Sequence, residues 1–306
     1  MATVQAQRPT NTPICDFYAS QIFGNNTATS QRGVMTLILN TAILGNYTSP
    51  NIDVPVSGIA SVSTYNGTSV NLLKYFDAAL YSTNDGLHPY GVAKNFLDDG
   101  GAVPIGKSMA SNGNVNSAQY ILLTHVWDYF GVLLNCSLQG KDPSFPAYAG
   151  KTSMYEVHKY MKIDPYEQGW FVYQLTLAAK SIGFSPSDTT IAMVQHPYKP
   201  LHFPLLTPNS HRKSSPQLQA ICIDASCPLA SDANCGLYDE VPAPGVVNAS
   251  LVGNYMKMNG TGTGSGTWHG GNSSFNGTMG FVGMAGRNTL GAWSLVFVGL
   301  VVGLGL

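Results

Sequence analysis

Two histidines stand where an imidazole could do chemistry. His158 follows Ser153-Met-Tyr-Glu156, a helix N-cap with its glutamate three residues on, so the ring rides on a short capped helix flanked by Val157 and Met161. To bind a metal the ring must be neutral with one nitrogen free. Its other N–H should be held by a carbonyl one turn earlier, near Met154, which fixes the ring. The plainer reading of a lone histidine on such a helix is a surface or hydrogen-bonded core residue. His125 lies within a second, apolar helix, one or two turns from Leu122, Val126 and Tyr129 on one face. It is either a polar group over a site or a solvent-facing flank.

Other chemistries find no footing. No G-x-S-x-G elbow stands between a strand and a helix, His88, His196 and His202 fall in Pro-rich loops, and no carboxylate pair has a capped context, so a hydrolase is excluded. The run GTGTGSG lacks the strand before it and the Lys-Ser/Thr after it that a phosphate loop needs. Of the five cysteines, Cys15, Cys136, Cys222, Cys227 and Cys235, the last three crowd into CIDASCPLASDANC. That spacing could hold zinc, yet no histidine is near and an oxidising compartment favours disulfides. Five cysteines leave one unpaired, and the connectivity cannot be read off.

The elements that would position these side chains read as helices. Residues 16–22 and 30–44 form an opening pair, the second closing at Gly45. Between 46 and 116 the pattern weakens into Gly, Ser, Asn and Pro punctuation around pieces such as 70–81 and 92–97, an irregular insertion. Asn116-Ser-Ala-Gln119 offers a capping box, and Leu123, Val126, Trp127, Phe130, Leu133 and Leu134 follow at helical spacing. Asp164-Pro165-Tyr-Glu167 opens another helix through Trp170, Phe171, Leu177 and Ala178 to about Gly183, and Ser185-Pro186 begins a last one. Nothing alternates like a strand, and after Met193 the chain is too rich in Pro for a helix.

The chain has 306 residues, of which charged residues make up 10%, against about 25% in an average protein. With a net charge of -1 and no basic run longer than His211-Arg212-Lys213, nucleic acid is excluded as a partner. Attached glycan would keep so uncharged a surface wet. Asn25, Asn46, Asn66, Asn135, Asn248, Asn259, Asn272 and Asn276 each begin an N-x-S/T sequon, although some could be turn asparagines beside small polar neighbours. The apolar tail 290–306, LGAWSLVFVGLVVGLGL, lies a suitable distance after Asn276-Gly-Thr and reads as a cleaved glycosylphosphatidylinositol signal with Asn276 as attachment site, the rival being a tail-anchored helix. Residues 1–13 contain no apolar leader, so the secretory signal is expected to be missing from this chain.

The block from Gln119 to Asp188 resembles the truncated haemoglobins, the short members of the globin superfamily. Their distal-side helix ends in a bulky pair and Leu-Gly-Gly, followed by Tyr-x-Gly, a Met four residues before a His, an Ile or Leu about five residues later, and an aromatic helix. Here the matching residues are Tyr129-Phe130, Leu133-Leu134, Tyr148-x-Gly150, Met154, His158, Ile163 and the helix around Trp170 and Phe171. The resemblance covers less than a quarter of the chain. It implies that haem is the cofactor, with His158 the proximal iron ligand and Met154 and Phe171 beside it. It also implies that Leu122, His125, Val126 and Tyr129 face a small diatomic ligand such as dioxygen or nitric oxide. The family's Phe-Tyr pair corresponds to Phe17-Tyr18 or to Tyr75-Phe76. Two departures stand out. Asn135-Cys136 replaces Gly-Gly, so that turn is made differently, a staple to Cys15 being one way. The helix that should close the pocket after Asp188 runs into Pro-rich sequence after Val194.

The expected fold is all-α. A globin-like helical domain spans 14–240 with its irregular insertion, after a disordered N-terminus at 1–13. A disordered, glycosylated Ser/Thr/Gly/Asn-rich stalk follows at 241–289, and the hydrophobic signal at 290–306. The expected protein is an extracellular, lipid-anchored haem protein working in gas or haem binding or in redox chemistry. Its rival is a helical surface scaffold or adhesion-type module without haem. Expressed in a eukaryotic host behind a working leader, the protein should lose residues 290–306 and become releasable by an anchor-specific phospholipase. Finding the tail in the intact mass of the mature protein would contradict this.

Overall fold

The structure, a computed structural model, describes residues 7–47, 54–81, 91–161, 163–190, 221–222, 224–227 and the backbone pair 245–246. Helix α2 (Ala28–Leu44) is its axis. The sequence ATSQRGVMTLILNTAIL carries apolar or small residues around the whole circumference rather than along one stripe, so the helix must be enclosed. Helices α1 (Ile14–Phe23), α4 (Ala118–Leu133) and α6 (Pro165–Ser181) enclose it. Val34, Met35, Ile38 and Leu39 are all within 2% of complete burial, as only a central helix allows.

Both ends of α2 are sealed. Thr27 and Ser30 form a reciprocal capping box at the N-terminus. At the C-terminus the returning chain takes the orphan carbonyls, Ile59 N–H donating to Ala42 O at 2.9 Å and Ala60 N–H to Ile43 O at 3.0 Å. That approach needs glycine twice: a Cβ on Gly58, at φ +80°, would lie 2.4 Å from Gly45 N, and one on Gly45, at φ +93°, 2.7 Å from Val56 O.

The corner between α1, α2 and α4 is tied by a disulfide and a buried polar network. Asn135 turns left-handed after α4, and Cys136 then bonds to Cys15, so the turn that lacks Gly-Gly is made by asparagine and a staple. Asp16 accepts from Gln31 Nε2 at 2.8 Å and Ser137 N–H at 3.0 Å, while Gln31 Oε1 accepts from Leu138 N–H at 3.0 Å. Deeper in, Asn40 donates to Ile105 O at 3.0 Å and accepts from Trp127 Nε1 at 3.1 Å. These amides sit on a buried helix only because each finds its partners.

The insertion between α2 and α4 is folded. Strands β1 (Ser63–Tyr65) and β2 (Thr68–Val70) make an antiparallel hairpin with Tyr65 opposite Thr68, closed by Asn66 and Gly67, both at positive φ. A 3-10 turn (Leu73–Tyr75), strand β3 (Leu80–Tyr81) and helix α3 (Ala102–Ile105) follow. Strand β3 pairs with β4 (Gly245–Val246), which lies within the stretch expected to be stalk. The molecule is therefore mostly helical rather than purely so, since the expectation of no strands missed these two small sheets.

Helix α4 starts one residue later than its sequence signal. Ser117 is the N-cap, and Asp98 from the insertion accepts from Ala118 N–H at 3.0 Å and Gln119 N–H at 2.9 Å. Gln119, expected to close a capping box, turns inward and holds Gly101 and Ala110 instead. Helix α5 (Met154–His158) and α6 begin at Ser153 and Asp164 as the sequence predicts, with Pro165 in the first turn and Glu167 completing the box on Asp164. Helix α7 (Pro186–Thr190) carries Asp188, which accepts from Arg8 Nε at 2.8 Å and Tyr18 Oη at 2.9 Å. Residues 8–12, expected to be disordered, are thus pinned, Arg8 also donating to Thr12 O at 2.6 Å.

A second disulfide, Cys222–Cys227, lies against the α5–α6 junction, where Cys222 bridges to Ile163. No helix among the described residues is long and apolar enough to cross a membrane. The tail 290–306 and most of 241–289 lie outside the described residues. Because Cys15–Cys136 closes a separation of 121 residues, replacing both cysteines by Ser should cost about 3–5 kcal/mol in chemical unfolding. A loss under 1 kcal/mol would show that the polar network holds this corner without the staple.

Candidate functional site

His158 ends the short helix α5, whose inner side is anchored by buried Met154 and Tyr155. Its ring Nδ1 lies 2.8 Å from Met154 O. A carbonyl can only accept, so Nδ1 carries the hydrogen and Nε2 is left with its lone pair. Burial holds the imidazole below its usual pKa, with the Met154 contact opposing, so the ring is neutral at pH 7. No partner for Nε2 lies among the described residues. The sequence-derived requirement of one ring nitrogen held a turn earlier and the other free is met at this position.

The expected distal residues divide between two environments. Val126 and Tyr129 are half-buried on the outer side of α4, where Tyr148 from the following loop packs edge-on to Tyr129 with ring centroids 5.4 Å apart. Burial and the neighbouring Tyr148 raise the Tyr129 phenol, which stays protonated and has no hydrogen-bond partner among the described residues. Tyr148 donates to Lys151 O at 2.7 Å, and burial pushes it up to about 12. His125 is exposed on the flank, 6.2 Å from the Tyr148 ring centroid. Of its two sequence readings the solvent-facing one describes this position.

Leu122 departs from that group. It lines an apolar cavity of about 40 Å³ with Ile43, Leu44, Phe76, Phe96 and Ile105. Drug-sized ligands need roughly 300–1,000 Å³, so this void suits a very small neutral molecule and no macrocycle. Phe171 lies at the edge of the core, half-buried on α6. Among the described residues no hydrogen bond or ring contact joins His158 to His125 or Tyr129. Neither earlier tyrosine is free to face a ligand: Tyr18 bridges Ser185 N–H and Asp188, and Tyr75 donates to Glu167 at 3.0 Å.

One buried charge was not singled out from sequence. Asp128, 4% exposed, has an Oδ1 with no partner, and Arg32 Nε across from it is likewise unpartnered. Arg32 instead stacks over the Trp127 ring at 5.3 Å and donates to Ser144 O at 3.3 Å. Burial pushes the Asp128 carboxyl up to about 6 despite the pull of Arg32. The signal was there: Arg32 and Asp128 are the sole ionic residues of α2 and α4, and an isolated charge in a core helix needs a partner.

Among the described residues no three His, Cys, Asp or Glu side chains gather as a metal cluster. Cys222 and Cys227 are joined to each other, and Cys235 lies outside the described residues. Asn25, Asn66 and Asn135 are exposed, whereas Asn46 is half-buried and its Oδ1 accepts from Val56 N–H at 2.6 Å. The other four sequons lie outside the described residues. Compared with protein-family models, curated proteins and solved structures, the chain matches none.

Asp128 gives the site a pH signature. Burial lifts its folded pKa to about 6, above the ordinary aspartate value of 3.8, so the folded state binds this proton more tightly than the unfolded one. Its contribution is fully present below the unfolded pKa and is lost as pH rises through 6. Asp128→Asn should therefore raise unfolding stability at pH 7.5 by about 1–3 kcal/mol and leave it nearly unchanged at pH 4. A variant less stable at pH 7.5 would mean that attraction to Arg32 outweighs the burial cost.

Proposed function

We propose that the chain is a haem-binding, globin-like protein of the cell surface, with His158 as the proximal ligand. The observation that carries the reading is the state of one side chain. His158 is a neutral imidazole held by Met154 O at 2.8 Å, with Nε2 facing no partner among the described residues. One imidazole would suffice to hold haem, so no cluster of ligating side chains is needed. Bound haem would supply the iron that takes the diatomic ligand. The protein's part would be to hold His158 in one tautomer, with the Tyr129 phenol as the ligand-side donor that the resemblance implies.

The ligand chemistry follows from what is free. Tyr129 keeps its phenol proton and spends it on no other described residue, so it supports donation to a bound dioxygen or nitric oxide better than His125, which stands in solvent. Peroxidase-like turnover would need an acid/base pair over the iron, and α4 offers none. The secretory setting is part of the proposal, supported by exposed sequons at Asn25, Asn66 and Asn135 and by two disulfides. The scaffold alternative draws on a different observation: Tyr18, Tyr75 and Leu122 are committed to core contacts.

His158→Ala should abolish or strongly weaken haem binding, read as loss of the Soret band in a haemin titration. His125→Ala and Tyr129→Phe should keep the band and change ligand dissociation, Tyr129→Phe the more. That hydrogen bond is worth roughly 1–3 kcal/mol where charge develops on the ligand. His88→Ala is the control and should change nothing. An unchanged band in His158→Ala would transfer support to the scaffold reading.

A further inference from the structure

Where the β1–β2 hairpin meets α6, Tyr65 packs against the core beside Trp170 while Tyr173 stands exposed, and neither tyrosine enters the haem reading. Tyr65 from β1 lies against α6 at Gly169, where a Cβ would fall 2.6 Å from its ring, so the ring is seated only because that position is glycine. Trp170 lies beneath it at 6.1 Å, and Tyr173, 45% exposed, stands 5.9 Å away between ring centroids. No charged side chain belongs to the hairpin 63–70, and none lies among Gly169, Trp170 and Tyr173. A neutral pair of fixed, partly exposed rings with phenol hydroxyls suits a sugar, whose C–H face packs on an aromatic ring while its hydroxyls meet polar groups.

The next residue is a sequon. Asn66-Gly67-Thr68 forms the tip of the hairpin, with Asn66 exposed at φ +49° and Gly67 at φ +81°. Positive φ at both central residues is the two-residue turn that matches strand twist, and it fixes Asn66 relative to the cross-strand pair Tyr65 and Thr68. We propose that Tyr65 and Tyr173 form a built seat for the first sugar of an N-glycan on Asn66, so that this glycan is part of the folded structure. The glycan is transferred from a lipid-linked oligosaccharide diphosphate. The Asn66 Nδ2–C1 bond forms, the C1–O bond to phosphate breaks, Nδ2 loses a proton and the lipid diphosphate leaves.

This inference rests on the secretory part of the proposed function and is independent of haem. It separates Asn66 from the exposed sequons at Asn25 and Asn135, since Asn135 follows a helix end and Asn25 lies in the α1–α2 turn, whereas Asn66 directly follows the Tyr65 ring that pairs with Tyr173. It also gives Gly169 a purpose, because any larger residue would lift Tyr65 off the helix.

The test uses the full chain secreted from a eukaryotic host behind a working leader, with occupancy mapped by peptide mass at Asn25, Asn66 and Asn135. Trimming every glycan to its single core sugar should leave the melting temperature unchanged, whereas Asn66→Gln should lower it by roughly 2–4 °C. In Tyr65→Ala and in the milder surface change Tyr173→Ala, Asn66→Gln should have little further effect. A direct readout guards against a Tyr65 variant that folds poorly: the N-acetyl methyl of the Asn66 sugar should resonate upfield, shifted by ring current, and return to its free position in Tyr173→Ala. An equal glycan effect with and without the tyrosines, or an unshifted methyl, would overturn the seat. An empty Asn66 beside occupied Asn25 and Asn135 would overturn it too. Vacancy at all three sequons would overturn it together with the secretory reading, leaving the haem titration to judge the remainder.

Discussion

A helix enclosed on all sides must satisfy every polar group internally, and this constraint on α2 organises the molecule. An unpartnered buried amide costs on the order of 1–3 kcal/mol. Gln31 and Asn40, both fully buried on α2, therefore dictate what surrounds them. Gln31 draws in Asp16 of α1 and the chain after α4, and Asn40 draws in Trp127 of α4 and the carbonyl of Ile105. The returning chain at Ile59 and Ala60 closes the C-terminal end. Three of the surrounding elements are thus located by hydrogen bonds whose absence would be more costly than their presence is favourable.

The site inherits its geometry from that frame. Helix α4 is held on its inner side by Asn40, at its start by Asp98 and at its end by the Cys15–Cys136 bond, which leaves its outer side with Val126, Tyr129 and His125. Helix α5 is only five residues long and could not persist alone. Its Ser153 cap and the buried side chains of Met154 and Tyr155 hold it, and the Met154 carbonyl then orients His158. The tautomer of the imidazole is consequently a property of backbone packing rather than of a neighbouring acid. The buried carboxyl of Asp128 lies on the side of α4 that faces Arg32 of α2, with one oxygen unpartnered among the described residues.

Helix positions were legible because caps and periodicity are local. Asp164-Pro165-Tyr-Glu167 carries its own start signal, and the structure begins α6 there. The Cys15–Cys136 staple was one of several pairings the cysteines allowed. Long-range corrections were illegible for a physical reason: Asp98 took the capping role expected of Gln119 because a carboxylate from a loop can reach two N–H groups at once. The β1–β2 hairpin carries a local signal as well, since Asn66-Gly67 between Thr64-Tyr65 and Thr68-Ser69 is a strong turn signal. The contact of the His158 ring with the Met154 carbonyl was legible too, because the two lie one turn apart on a helix that carries its own cap. The commitment of Tyr18, Tyr75 and Leu122 elsewhere depends on tertiary partners more than 75 residues away for each tyrosine, at separations of 170 and 92, and was not.

The central claim is that His158 offers a preformed, neutral iron ligand in a chain whose other described histidine, His125, stands in solvent. It is tested most directly by titrating the refolded or secreted full chain with haemin and following the absorbance spectrum. The account predicts a Soret band that saturates at one haem per chain and is lost in His158→Ala. A spectrum indistinguishable from free haemin at every ratio would contradict it.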